Sequence, residues 1–168
     1  MTFDQVLTLL ADTPAQLRFL LKQVDDELAR WRPEEEKWCI NEVIGHLSWT
    51  DEHAFTNRIL LMTEQPNCEL PLIDVNKAAR ERQDNLKLLE DSLKEFADSR
   101  AKQLERLKGI DENKLSNTAL YKGKTFLASD FVYEWPFHDY GHICQITRIL
   151  RANLAPYMSE TMRRAVGY

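Results

Sequence analysis

The chain of 168 residues, 43% of them hydrophobic and only 5 glycine and 6 proline, can bury the core of a single helix-rich domain spanning residues 1–168 without disulfide bonds. Its formal net charge of −5 argues against a nucleic-acid partner, because such binding depends on clustered lysines and arginines that neutralise phosphates. No apolar run reaches the roughly 18 residues of a membrane span, and the acidic N-terminus lacks the basic head of a signal peptide, which together predict a cytoplasmic protein with no membrane partner.

Apolar residues recur with the period of a helix almost everywhere, which predicts an all-α fold. A first helix is expected over residues 3–24. Within it, Pro14 either bends the helix or begins a new one capped by Thr13. A short helical turn and a linker that stops at Pro33 follow.

Two further long helices are expected in the middle of the chain. The second begins near residue 40 and ends before "EQPNCELP", where two prolines break the pattern. The third covers residues 75–107 with a continuous apolar stripe, and Gly109 is the kind of residue that closes a helix.

The last third of the chain is predicted to form a crossover and a fourth long helix. Residues 110–128 contain a Lys-Gly-Lys turn and are expected to form either an irregular connection or a small hairpin. Ser129 is expected to cap the fourth helix, and Pro136 to bend it. Four amphipathic helices with one long crossover between the third and the fourth predict a four-helix bundle.

Histidines give the main functional signal. In "WPFHDYGHICQI", His138 and His142 are four residues apart, so they share one helix face and can aim at one point. His46 lies in an apolar run of the second helix and is expected to point inward, with His53 on nearly the same face two turns later. Because facing helices in a bundle are about 8–10 Å apart, His46 can complete a three-imidazole metal site with open positions.

The residues alone leave a plainer alternative open, in which the pair is an ordinary helix face. Asp139 and Tyr140 stand where a zincin motif needs other residues. The paired Glu-x-x-His motifs of di-iron bundles are also missing, because Glu42 and Glu134 each precede a histidine by four residues.

Two stretches resemble the signatures of the DinB superfamily, the YfiT-like metal-dependent enzymes. "KWCINEVIGHL" is similar to the stretch that supplies the first metal histidine, and "HDYGHICQI" to the stretch that supplies the other two. The resemblance implies a four-helix bundle, a homodimer, and a divalent metal, nickel or zinc before iron, manganese or copper, bound by His46, His138 and His142. Cys39 stands where the family has Ser or Thr, which weakens the cap of the second helix but removes no ligand.

The sequence leaves more than one role open for several other polar and aromatic residues. His53 is expected to line the pocket as a general base, with a fourth ligand and a buried structural histidine as alternatives. Asp51 and Asp139 could orient ligand histidines or lie on the surface. Glu134 could line the pocket mouth or be solvated, and Gln145 is expected to make a structural bond. Core or pocket-wall positions are expected for the remaining candidates, Trp49 and Trp135.

The family resemblance leads to three functional hypotheses. The two enzymatic ones require a small-molecule substrate, and the third requires none. The first is a transferase that activates a low-molecular-weight thiol, of the bacillithiol, mycothiol or glutathione type, or water, for attack on a small electrophile. The second is a metal-dependent hydrolase that uses the same site. The third is a non-catalytic bundle that binds metal or a partner.

The three cysteines, an odd number at unrelated spacings, fit a reducing compartment and are expected to be buried small hydrophobes.

Overall fold

A computed structural model describes residues 1–168 and confirms the four-helix bundle. Its α-helices are α1 (Phe3–Leu20), α2 (Asp26–Arg30), α3 (Ile40–Thr50), α4 (Asn57–Glu64), α5 (Val75–Arg82), α6 (Leu89–Leu107), α7 (Ala128–Leu154) and α8 (Glu160–Ala165). A π-helical segment, Asp51–Thr56, joins α3 to α4 so that the two form one continuous rod. This rod, α1, α6 and α7 are the four long elements: α6 packs against α1 and α3, and α7 packs against α1, α3 and α4.

The crossover between α6 and α7 is a hairpin rather than an irregular connection. Strands β2 (Thr118–Tyr121) and β3 (Lys124–Leu127) pair antiparallel, and the short strand β1 (Cys68–Glu69) adds to β2 in parallel. Both residues of the turn, Lys122 and Gly123, have positive φ angles of 50° and 74°, as a two-residue hairpin turn of type I′ requires. The predicted Lys-Gly-Lys turn is therefore the hairpin turn.

Apolar side chains form two clusters along the bundle. One cluster joins α1, the π-helical segment, α4, the hairpin and the first half of α7, with Trp135 and Ile59 fully buried in it. The other joins α1, α3, α6 and the second half of α7, with Leu47 and Phe96 fully buried in it. None of the helices is long and apolar enough to cross a membrane.

Several predicted helix boundaries were wrong. The first helix ends at Leu20, and Pro14 lies inside it without starting a new helix. The predicted third helix is interrupted between α5 and α6, because Gln83 adopts a left-handed φ of 51°. Ser129 is not the cap of the last helix, which already begins at Ala128, where the N–H of Leu127 donates to the carboxylate of Asp130.

The cysteines follow the prediction only in part. Cys39 is buried and caps α3 through its backbone, because its N–H donates to Oε2 of Glu42 at 2.9 Å. Burial raises the pKa of the Cys39 thiol to about 11, so this thiol stays protonated at neutral pH. Cys68 is half-buried and Cys144 is exposed on α7, which contradicts the expectation that all three are buried.

Candidate functional site

Three histidines from two helices converge at one point of the bundle. His46 comes from α3, and His138 and His142 lie one turn apart on α7. Nε2 of His138 is 3.0 Å from Nε2 of His46 and 3.2 Å from Nε2 of His142. The three rings can offer one nitrogen each within 4.8 Å of one another. The structure thus brings together the three residues predicted as metal ligands, here called the histidine cluster.

Hydrogen bonding alone does not account for this cluster. A neutral imidazole has one N–H and one acceptor nitrogen, so Nε2 of His138 can form one hydrogen bond at most with its two neighbours. Nε2 of His142 is the acceptor of its ring, because Nδ1 donates to Oε1 of Gln145 at 2.8 Å. Two nitrogens at about 2.0–2.1 Å from one zinc ion lie about 3.3–3.4 Å apart in tetrahedral geometry, close to the observed spacing. The donor set therefore fits one divalent cation.

Burial keeps the rings of the cluster neutral. Burial, and to a lesser extent the neighbouring histidines, lowers the pKa of His46 to about 2 and that of His138 to about 3. Burial also lowers the pKa of His142. Because metal coordination uses the unprotonated nitrogen, the cluster can bind a cation at neutral pH without first releasing protons.

Aromatic side chains hold the histidine rings in place. The ring centroid of Trp38, from the linker before α3, lies 5.0 Å from that of His46 and 6.4 Å from that of His142. Phe55 packs edge-on against His138, with the centroids 5.3 Å apart. Packing on two sides limits the rotation of the rings, so the nitrogens keep their positions before any ion arrives.

A cavity of about 310 Å³ opens beside the histidine cluster. His46 and His138 form part of its wall, together with the charged side chains of Arg58, Lys122 and Glu134. Glu134 is exposed and lines this cavity, one of the two positions predicted for it. Although Glu134 is exposed, partial desolvation in the cavity wall raises its pKa, while the positive charge of Arg58 opposes that rise. The cluster therefore has a side from which a small molecule can reach it.

Asp51 and Asp139 have neither of their predicted positions. Both are buried, and their carboxylates bind Arg100 of α6 rather than the histidines. Arg100 donates from Nε and Nη2 to Asp51, both at 2.8 Å, and from Nη1 and Nη2 to Asp139 at 2.7 and 3.0 Å. Trp135 adds a bond from Nε1 to Asp51, and Thr13 one from Oγ1 to Asp139. These residues, here called the Arg100 network, connect α1, the π-helical segment, α6 and α7.

His53 lies outside the histidine cluster and outside the walls of its cavity. It is exposed, its ring stacks on Trp49 at 4.4 Å, and Nδ1 lies 2.9 Å from the carbonyl oxygen of Trp49. The seven-residue spacing from His46 would keep both on one face of an α-helix, but the π-helical segment turns less per residue and rotates His53 away. The pocket-lining role predicted for His53 therefore has no support in the geometry.

Three residues of the site region escaped the sequence analysis. Arg58 and Arg100 each lie among apolar residues at helical spacing, in "FTNRILLM" and "FADSRAKQL". A charged residue on an apolar helix face indicates a buried charge, and this signal could have identified both. Trp38 belongs to the quoted stretch "KWCINEVIGHL", but its contact with the rings was not predicted.

Solved structures with the same fold include two kinds of protein. YfiT from Bacillus subtilis, described as a probable metal-dependent hydrolase with an unusual four-helix bundle topology, matches with a TM-score of 0.77 at 14% identity, over 89% of this chain and 86% of that one. The mycothiol-dependent maleylpyruvate isomerase matches with a TM-score of 0.65 at 18% identity, over 84% of this chain, and this chain spans only 59% of the isomerase. At these identities the likeness shows the fold.

Family membership comes from the sequence. No curated protein sequence matches this chain. The sequence profile of the DinB superfamily matches residues 9–146, which include all three histidines of the cluster and both stretches on which the resemblance was based. The chain therefore belongs to the DinB superfamily.

Proposed function

We propose that His46, His138 and His142 hold one divalent metal ion and that the protein is an enzyme that activates a small nucleophile at this ion. The convergence of three neutral imidazoles beside an open cavity carries the proposal. Three protein ligands and an open position are typical of catalytic metal sites, whereas structural sites are closed by a fourth protein ligand. Nickel or zinc is the expected metal, although imidazole also suits iron and copper.

A low-molecular-weight thiol is the leading candidate for the nucleophile. A divalent ion held by neutral ligands keeps its charge of two, so it lowers the pKa of a thiol or a water molecule at its open position. His46, His138 and His142 would hold this ion, and the rings of Trp38 and Phe55 pack against two of these ligand rings. The fold shared with a mycothiol-dependent isomerase supports a thiol, which would then attack a small electrophile in the cavity.

Hydrolysis is the second candidate, because the same site can present water instead of a thiol. It is favoured by the likeness to YfiT, which extends over 86% of a chain described as a probable metal-dependent hydrolase. In either reaction the histidine cluster has the same task, and the two differ only in which nucleophile occupies the open position.

The test begins with the metal content of protein purified without a histidine tag. We expect about one equivalent of a divalent metal in the wild type and none in His138→Ala, because two imidazoles do not complete the site. His53→Ala is the matched control and should keep its metal, since His53 lies outside the cluster. Metal-loaded protein is then assayed with 1-chloro-2,4-dinitrobenzene plus bacillithiol, mycothiol or glutathione, and with p-nitrophenyl acetate alone.

The outcomes separate the hypotheses. Thiol conjugation that requires the metal and His138 supports the transferase, and ester cleavage without thiol supports the hydrolase. Metal binding with neither activity, together with a large loss of thermal stability in His138→Ala, would favour the non-catalytic bundle. A wild type that takes up no metal after incubation with nickel or zinc would contradict the proposal.

A further inference from the structure

Arg58 carries a buried guanidinium group whose hydrogen-bonding capacity is unused. The residue is 6% exposed, yet its Nε and Nη2 atoms have no hydrogen-bond partner. Glu134 lines the same cavity and interacts electrostatically with Arg58, but its carboxylate accepts no hydrogen bond from either nitrogen. Buried N–H groups without hydrogen-bond partners are costly, so their presence on a side chain that lines a cavity calls for an acceptor that arrives from outside the chain.

Arg100 shows in this same chain what the unused edge of Arg58 can bind. The Nε–H group and one N–H of Nη2 point from one edge of a guanidinium as a fork. In Arg100 this fork holds the two oxygens of Asp51, with both distances 2.8 Å. In Arg58 the same two nitrogens are the ones without partners. A planar carboxylate is the ligand that this edge fits best.

Two aromatic rings hold the Arg58 side chain ready for such a ligand. Its guanidinium carbon lies 4.2 Å from the ring centroid of Tyr121 and 5.5 Å from that of Phe131. A cation that packs on the face of a ring keeps its in-plane N–H groups free. Since the side chain is already ordered by α4, the hairpin and α7, binding costs little further conformational entropy.

We infer that Arg58 binds a carboxylate of the substrate and thereby places its reacting group at the histidine cluster. Arg58, His46 and His138 belong to the wall of one cavity, and its volume of about 310 Å³ limits the ligand to a small molecule. Lys122 in the same wall adds a second positive charge. The placement of the reacting group rests on the proposed function, whereas the carboxylate contact itself needs no metal.

The experiment is a calorimetric titration of metal-free protein with benzoate, with neutral benzamide and with inorganic phosphate. We expect saturable binding of benzoate at least about tenfold tighter than that of benzamide, because hydrogen bonds to a charged group are the strong ones. Arg58→Gln should lose this preference. Arg58→Lys should lose most of it too, because lysine keeps the charge without the planar fork. Arg106→Gln, which removes an arginine already paired with Asn57 and Gln103, is the matched control and should bind benzoate like the wild type.

Equal affinity for benzoate and benzamide, or undiminished benzoate binding by Arg58→Lys, would overturn the inference. Phosphate binding as tight as that of benzoate would overturn the assignment of a carboxylate. The two proposals fail separately. Benzoate binding by a protein that takes up no metal would support this inference and contradict the proposed function. Metal-dependent activity in a protein that does not bind benzoate would support the proposed function and contradict this inference.

Discussion

Among single residues, Gln145 has a more specific task than the structural bond predicted for it. Its Oε1 accepts the Nδ1–H of His142, which leaves Nε2 of that ring as the nitrogen with the free lone pair. The same choice of tautomer is not imposed on His46 or His138, because their Nδ1 atoms have no hydrogen-bond partner. Gln145 is therefore the one side chain that fixes a ligand tautomer through a hydrogen bond.

Gln145→Leu should weaken metal binding by about 10- to 100-fold, the usual effect of removing a bond that orients a metal-ligating histidine. The measurement is a competition titration of zinc or nickel against a chelating dye. Thr147→Val is the matched control, because Thr147 lies on the same helix and its hydroxyl bonds only to the carbonyl of Ile143. Equal affinities of wild type and Gln145→Leu would mean that packing alone orients His142.

The histidine cluster could be predicted from the sequence, whereas the buried charges around it could not. The four-residue spacing of His138 and His142 places both on one helix face, and the apolar run around His46 indicates that it points inward. The family resemblance implies that all three bind the metal. Arg100 and Asp51 are far apart in sequence, and burial of each is tolerable only because the other is there. Spacing along one helix cannot show a partner on another.

At the scale of elements, two irregular segments determine how α3 meets its neighbours. The π-helical segment after α3 brings Asp51 into the Arg100 network and turns His53 outward. The break after α5 brings Asp84 down onto Gly45, the residue before His46. Apolar periodicity predicted the long helices, but polar stretches such as "RERQDN" have no apolar positions whose phase could reveal a break.

Gly45→Ala and Gly141→Ala form a natural pair, because each glycine precedes a histidine of the cluster. A Cβ atom at Gly45 would lie 2.1 Å from Oδ2 of Asp84, which is buried and bound to Nε of Arg82. We expect Gly45→Ala to lower the free energy of unfolding by about 1–3 kcal/mol, as overpacking does. Gly141 has no atom within 4 Å of the added carbon, so Gly141→Ala should raise it by about 0.5–1 kcal/mol. Urea denaturation of the metal-free variants measures both, and equal stabilities would show that Asp84 moves aside freely.

At the scale of the whole molecule, the Arg100 network and the histidine cluster put charged and polar groups into the middle of the bundle. Although burial opposes its charge, Asp51 and Asp139 raise the pKa of Arg100, so the guanidinium stays charged. Burial raises the pKa of Asp51 to about 6, and Arg100 opposes that rise. Exposed aromatic residues recur at helical spacing along α7, at Tyr133, Phe137 and Tyr140. Such a stripe is common at interfaces, and the predicted homodimer stays a prediction.

The neutral histidines make the stability of the metal-free fold depend on pH in a defined direction. Above a pH of about 6.5 the cluster is unprotonated in both the folded and the unfolded chain, so it contributes no pH dependence. Below that pH the unfolded chain binds protons, while the folded chain does not until the pH reaches the lowered pKa values, about 2 for His46 and about 3 for His138. The free energy of unfolding must therefore fall as the pH falls through this window.

At about pH 5.5 each strongly shifted histidine should cost the fold about 1 kcal/mol relative to about pH 7.5. Urea denaturation of metal-free wild type and of His138→Gln at both pH values tests this, because the variant lacks one such group while the remaining titrating residues are shared. The wild type should lose about 1 kcal/mol more than the variant. An equal loss in both would mean that His138 takes up its proton in the folded state, which is incompatible with the burial that keeps the cluster ready for a cation.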